Sequence, residues 1–388
     1  MANGSRHSMF YVPEATYGTT PANPAWKPIR HTGTTLGLSK DSISSEELRS
    51  DRMIADFRQG ANQVGGDIKF ELSFLSFDDL LEAVLGGTWT PRATTGSQSL
   101  SASVGAFARA AGSFLTDGLL NGDTVVVSGF PTAGNNGRFK VTALTATSMS
   151  VTPLDGQTMA VDAAAAGRTI ASHEATLKAG TVRRSFSVLR QFGDLTGNNN
   201  FLYTGIEFNS LELAINANQM VTGTIGIIGQ GAAAATATPP TGSTFANPTT
   251  TSPLDSFTGA LKEGGTTISV ITEVQLKLDN SMEARFVVGS KTTILPSQGR
   301  SNATGQVSAY FEDSTLVSKF INETASSIEF NLPDTAGNNL KFTLPRIKYT
   351  GGQPDVDKEG PIVLSMPIQA LLDSTTSTNI SIVRTPAP

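Results

Sequence analysis

Apolar and polar residues alternate with a period of two along most of the chain, the pattern of strands with one buried face. In Val64–Leu75, Ile68, Phe70 and Leu72 fall on one side while Asp67, Lys69 and Glu71 fall on the other. The same pattern predicts a partner strand over Leu36–Leu48. It predicts further strands within Ala175–Gly193, Phe201–Gly229, Ile268–Leu278, Ile328–Leu332, Leu340–Tyr349 and Ile362–Leu371. Helical patterning is confined to two short stretches. Phe77–Leu85 carries a stripe of Leu80, Leu81 and Val84, and Gly86-Gly87 supplies the left-handed stop. Ser76 with Asp79 three residues on reads as a capping box. The second helix is expected at Thr315–Ile321.

The pattern also repeats. Gly66-Asp67-Ile68 opens a strand that runs into the first helix, and Gly305-Gln306-Val307 opens one that runs into the second. Thr196-Gly197-Asn198-Asn199 precedes an aromatic-rich strand and a return strand opening at Gly223; Ala336-Gly337-Asn338-Asn339 precedes another pair, with its return opening at Gly360. A unit used twice points to a symmetric structural assembly. The fold class expected is mainly β: two tandem β-sandwich or barrel modules, each with a short flanking helix, plus an inserted small all-β domain. The expected divisions are an extended arm at 1–35, a first module at 36–92 and 171–230, the insert at 93–170, a flexible linker at 231–254, and a second module at 255–388. The insert is marked by a shift to Ala, Thr, Gly and Ser around turn-and-strand signals such as Gly134-Asn135-Asn136-Gly137, and the linker by Ala, Thr, Pro and Gly without periodicity.

Two loops are longer than their hairpins need. Arg49–Gln63 carries Arg52, Met53, Ile54 and Phe57, and Gly289–Asn302, which follows Val288, carries Ile294 and Leu295. Apolar residues on a long loop are often covered by a partner, so these are read as assembly-loop candidates, with packing on the parent domain as the alternative. The arm poses the same choice: Pro13, Pro21, Pro24 and Pro28 forbid helix, so Tyr17 and Trp26 are buried against a neighbouring subunit or on their own domain.

Composition narrows the function. The chain has 388 residues, 38 glycines, no cysteine and a formal charge of −5. Thiol chemistry and disulfides are excluded, and the acidic balance argues against a phosphate-gripping nucleic-acid binder. No apolar run has the length of a membrane-spanning helix, and the first residues lack the order of a secretory signal. The histidines His7, His31 and His173 have no metal-ligand spacing. Gly229-Gln230-Gly231 with Ala234 matches a dinucleotide fingerprint, yet it runs into Pro239-Pro240 instead of a helix. Glu46-Glu47 would face opposite ways on a strand, and Arg183-Arg184 is too short for a nucleic-acid patch. No cofactor is implied and no catalytic constellation is found.

The segment from Tyr11, Glu14, Thr16 and Gly18 through Ser44–Arg52, Gly65-Gly66-Asp67-Ile68 and Phe77–Trp89 resembles the tail tube (major tail) proteins of long-tailed bacteriophages. The Gly122-Asp123 to Asn136-Gly137 stretch is similar to small β domains that decorate phage virion proteins. The resemblance implies a structural protein of the virion tail, assembled in the host bacterial cytoplasm, whose modules form six-membered rings stacked into a conduit for viral DNA. It implies tape measure and tail terminator or tip proteins as partners, no enzymatic activity and no membrane. With two modules per chain, the ring would be a pseudo-hexameric trimer, or a hexamer with the second module outside. Lumen-facing carboxylates are expected among Glu71, Glu207, Glu212 and Glu273. The rival reading is a carbohydrate- or cell-surface-binding β-sandwich; a hydrolase with an unrecognised site is a third.

Overall fold

The period-two segments pair into an extended, largely antiparallel strand system in the computed structural model, which describes residues 3–387 except 257, 258, 269, 355, 357 and 358. The chain ends Met1, Ala2 and Pro388, assigned above to the arm and the second module, lie outside the described residues.

The same topology occurs twice. In the first half, His7–Pro13 pairs with Ala25–Pro28 and with Phe186–Phe192, which in turn pairs with the start of Asn200–Asn216. In the second half, Ala260–Glu263 pairs with Thr266–Thr267 and with Ser326–Pro333, which pairs with Asn339–Tyr349. The facing sheet of the first half runs Gly37–Ser44, Phe57–Glu71, Thr222–Gly229 and Asn200–Asn216. That of the second runs Ile271–Asp279, Asn302–Tyr310, Val363–Ala370 and Asn339–Tyr349. Each half adds one helix, Asp78–Leu85 or Thr315–Ile321, after its second long strand. The duplication extends to backbone detail. A Cβ on Gly66 would lie 2.6 Å from the Thr35 carbonyl oxygen, and one on Gly305 would lie 2.5 Å from that of Gln275. Both glycines are therefore required by the close approach of a neighbouring strand.

One hydrophobic core runs through both halves, from Ile68, Phe70 and Phe208 in the first to Leu276, Phe342 and Ile382 in the second. Between Thr90–Pro91 and Ala175–Lys178 the chain leaves this system to form a closed six-stranded barrel around Leu100, Phe107, Phe139 and Met149.

The structure corrects several expectations. The arm is the first hairpin of the first module; its counterpart in the second module is the hairpin 260–267. Trp26 is fully buried on its own chain, packed with Val12 and Leu189, and its indole N–H donates to Ser243 Oγ. Tyr17 is half-buried beside Gly205 and Gln230 of the same module. The segment 231–254 is pinned rather than flexible. Gly231–Ala232 pairs with Tyr203 and Thr204, Thr244–Phe245 pairs with Ala25–Trp26, and Leu254 N–H donates to the Leu72 carbonyl. These backbone bonds are invisible to side-chain periodicity. Ser76 does not cap the helix: Phe77 occupies the cap without a side-chain bond, and Ser76 Oγ meets Ser73 and Thr249 instead. Gly86 takes the left-handed stop at φ 62°. Phe57–Gln63 belongs to a strand, so the first loop shrinks to 45–56 and includes Glu46 and Glu47. Part of the second loop is also ordered, because Ile294–Ser297 pairs with Glu283–Arg285.

The Gly66–Thr35 and Gly305–Gln275 approaches generate a matched prediction. Gly66→Ala and Gly305→Ala each lower stability by about 1–3 kcal/mol in urea titration, since strand backbone must shift. Gly4→Ala, which meets nothing within 4 Å, is neutral.

Candidate functional site

Strand Asn200–Asn216 joins the modules. Its C-terminal part pairs with Thr222–Gly229 on one side and with Ile271–Asp279 on the other, placing Ser210 opposite Asp279 and Asn216 opposite Glu273. The join is a backbone ladder, so the two facing sheets become one sheet that begins at Gly37–Ser44 and ends at Asn339–Tyr349.

The two faces of this sheet differ. Leu211, Leu213, Leu276, Leu278, Val307 and Ile368 turn into the core. Alternation then turns Asp67, Lys69, Glu71, Glu212, Glu273, Gln275, Lys277 and Gln306 to the opposite face, where none is buried. A shallow depression on that face is floored by Gly223 and Gly305 and rimmed by Thr224, Gln275 and Gln306. Glu212 and Lys277 face each other across the join at 2.5 Å, both half exposed, and the carboxylate raises the lysine pKa. An exposed pair of this kind contributes little stability. Its importance is that it puts opposite charges across the module boundary.

Glu71, Glu212 and Glu273 thus share one open polar face, whereas Glu207, on the same side of its strand, is covered. The bulge between Phe208 and Ser210 keeps Glu207 on the same side of the strand as Glu212, since Ile206 and Phe208 before it and Leu211 and Leu213 after it turn into the core, but Glu207 is buried there beneath the loop of the first hairpin. Arg183 holds it in a forked ion pair at 2.7–3.2 Å, within a pocket shared with Glu14 and Tyr17. Burial pushes the Glu207 pKa up, against the pull of Arg183. A lumen-facing role for Glu207 is withdrawn. Its cover comes from Arg183 and the Glu14–Tyr17 loop, so nothing local to Glu207 distinguishes it in sequence from Glu212.

The apolar loop residues project from the sheet. The hairpin Gly37–Ser44/Phe57–Glu71 extends beyond the core, and around its tip Leu48, Met53, Ile54 and Phe57 are 100, 70, 74 and 59% exposed. Arg52 lies among them in a left-handed turn at φ 62°. The second loop leans on this hairpin's base: Asn62 N–H donates to the Lys291 carbonyl at 2.7 Å, and Thr293 Oγ1 donates to Gly229. Its apolar residues Phe286, Val287, Val288, Ile294 and Leu295 remain exposed. The sequence reading named most of this apolar group. It missed Ile43 and Leu48, which alternation had assigned to an ordinary strand, and Lys277, whose partner is distant in sequence.

A family model described as phage tail tube protein matches residues 4–370. The chain belongs to the phage tail tube family. Comparison with curated proteins found no match. Membership makes this tube protein a component of the virion tail that self-assembles into a tube. Among the described residues, no cluster of histidines and carboxylates is arranged to hold a metal, and no helix is long and apolar enough to cross a membrane.

Two histidines add a pH response to the tube protein. His173, at the root of the inserted barrel, and His7, in the first strand, have pKa values lowered to about 4. Burial is the main cause, followed by Arg384 for His173 and Arg190 for His7. A depressed pKa means that the unfolded chain binds protons first. Stability is therefore full above about pH 6.5 and declines as pH falls toward 4. Urea midpoints should fall between pH 7 and 5, and a His7→Gln/His173→Gln variant should show a shallower fall. For the buried pair, Arg183→Ala should cost about 3–5 kcal/mol by stranding Glu207, as measured by denaturant unfolding.

Proposed function

We propose that three copies of this chain close into a pseudo-hexameric ring, and that stacked rings form a conduit for viral DNA. The observation that carries the reading is the internal join. Two modules of like topology are already linked edge to edge by a strand ladder, so the chain is a segment of wall. The outer edge of Gly37–Ser44 has no strand partner among the described residues, although such an edge is normally covered or paired. Successive copies adding to this edge end in closure, which removes every edge. The join favours three copies over six, because the second module continues the sheet instead of decorating its outside.

Closure places the polar face on the inside. Eight strands from each of three copies, spaced ~4.8 Å, give a barrel about 37 Å across between backbones before strand tilt widens it, which leaves room inside its side chains for a double-stranded nucleic acid. Glu71, Glu212 and Glu273 with Asp67 outnumber Lys69 and Lys277 on this face, so passing phosphates meet no basic stripe to hold them. The apolar hairpin tip, with the second loop beside it, supplies ring-to-ring contact. Tape measure and tail terminator or tip proteins are the expected companions, and assembly takes place in the host cytoplasm. The role is structural rather than enzymatic.

Replacing residues 46–55 with Asn-Gly should leave folded, soluble subunits that fail to polymerise in negative-stain images; normal tubes would contradict the assignment of the tip. Tubes carrying Glu71→Lys and Glu273→Lys should retain duplex DNA at low salt and release it as salt rises, whereas unaltered tubes should not retain it.

A further inference from the structure

The internal join is also a template for the contact between copies, and it fixes that contact to the residue. Gly66 stands opposite Ile227 as Gly305 stands opposite Ile368. Gly66 meets Thr35 and Gly305 meets Gln275, so Leu36 matches Leu276, Ser39 matches Asp279 and Lys40 matches Asn280. Leu36 and Leu276 are both buried. On the other strand, Ser210 pairs with Gly226, and Thr350 N–H donates to the Pro367 carbonyl. Since Gly226 matches Pro367, Ser210 matches Thr350.

Inside the chain, Ser210 faces Asp279. The next residue, Asn280, is buried and donates its side-chain N–H to the Val84 carbonyl at 2.8 Å, in the last turn of helix Asp78–Leu85. That helix buries Leu80, Leu81, Ala83, Val84 and Leu85. The matching helix Thr315–Ile321 buries no residue, and Ile321 is 67% exposed. Just beyond its end, the Glu323 side chain is 83% exposed, with Lys348 Nζ 3.6 Å from its carboxylate. Lys40, the counterpart of Asn280, is exposed on the edge strand.

We infer that a second copy docks here with its Ser39 opposite Thr350 in an antiparallel ladder, and with its Lys40 against Glu323 and the carbonyl end of helix Thr315–Ile321. This rests on the tube reading and specifies its register. The chemistry differs usefully between the two joins. Within the chain a neutral amide caps a helix end; between copies an ammonium meets both the negative end of a helix and a carboxylate. At the helix end the contact between copies is therefore salt-sensitive where its internal counterpart, the Asn280 amide, is not, and the charge pair selects the correct edge.

The chain has no cysteine, so an engineered pair reports without background. In the full chain, Ser39→Cys with Thr350→Cys should convert assembled rings, on mild oxidation, into covalent trimers on a denaturing gel. Lys40→Cys with Thr350→Cys, one residue out of register, should link poorly. Separately, Lys40→Glu or Glu323→Lys should reduce ring yield severalfold, and the two together should restore it; this arm also decides the matter if the cysteine variants misfold. Rings that form normally yet link only out of register, or charge reversals without mutual rescue, overturn the inferred contact and leave the tube reading intact. An unaltered chain that never assembles removes both.

Discussion

An unpaired strand edge carries a row of backbone N–H and C=O groups that is a ready template for pairing with another strand. The architecture of this chain follows from how such edges are dealt with. At the centre, Asn200–Asn216 leaves a sheet edge, and Ile271–Asp279 of the second module occupies it. The glycines Gly66 and Gly305 let adjacent backbones approach at the matching point of each module. The segment 231–254, tied down by pairing with Tyr203, Thr204, Ala25 and Trp26, carries the chain from one module to the next.

The polar face depends on this continuity. Without the join, Glu212 and Lys277 would belong to separate surfaces; with it, the carboxylates and amides of two modules form one uninterrupted wall. In the proposed assembly, function needs no reacting group. A conduit requires a surface that passes a polyanion without holding it, and projecting apolar tips that fix one ring on another. The helices matter as flanks of the joins rather than as sites. Asp78–Leu85 is covered beside the join inside the chain, while Thr315–Ile321 buries no residue, as the proposed join between copies requires.

Much of this was legible in the sequence because side-chain alternation is periodic and cheap to read. Ile68, Phe70 and Leu72 opposite Asp67, Lys69 and Glu71 announced a one-faced strand, and the two Gly-Asn-Asn turns announced the repeat. Met53, Ile54 and Phe57 stood out because apolar residues on a charged loop need a reason. What escaped notice was held by backbone or by distant partners. Prolines disguised the first hairpin as an arm, since its strand bonds run through the flanking residues Met9–Val12. The alanine–proline segment 231–254 has no side-chain pattern, yet its backbone is paired. Glu207 looked like Glu212 because what sets it apart, the cover supplied by Arg183 and the Glu14–Tyr17 loop, comes from other parts of the chain.

The central claim is that one polypeptide supplies two consecutive, edge-joined segments of the wall. Symmetry-resolved electron cryo-microscopy of the assembled tube tests it most directly. The account predicts threefold rings in which the Asn200–Asn216 and Ile271–Asp279 ladder recurs between copies and the Glu71, Glu212 and Glu273 face lines the bore. Sixfold rings with the second module outside the wall, or a bore lined by the apolar hairpin tips, would contradict it.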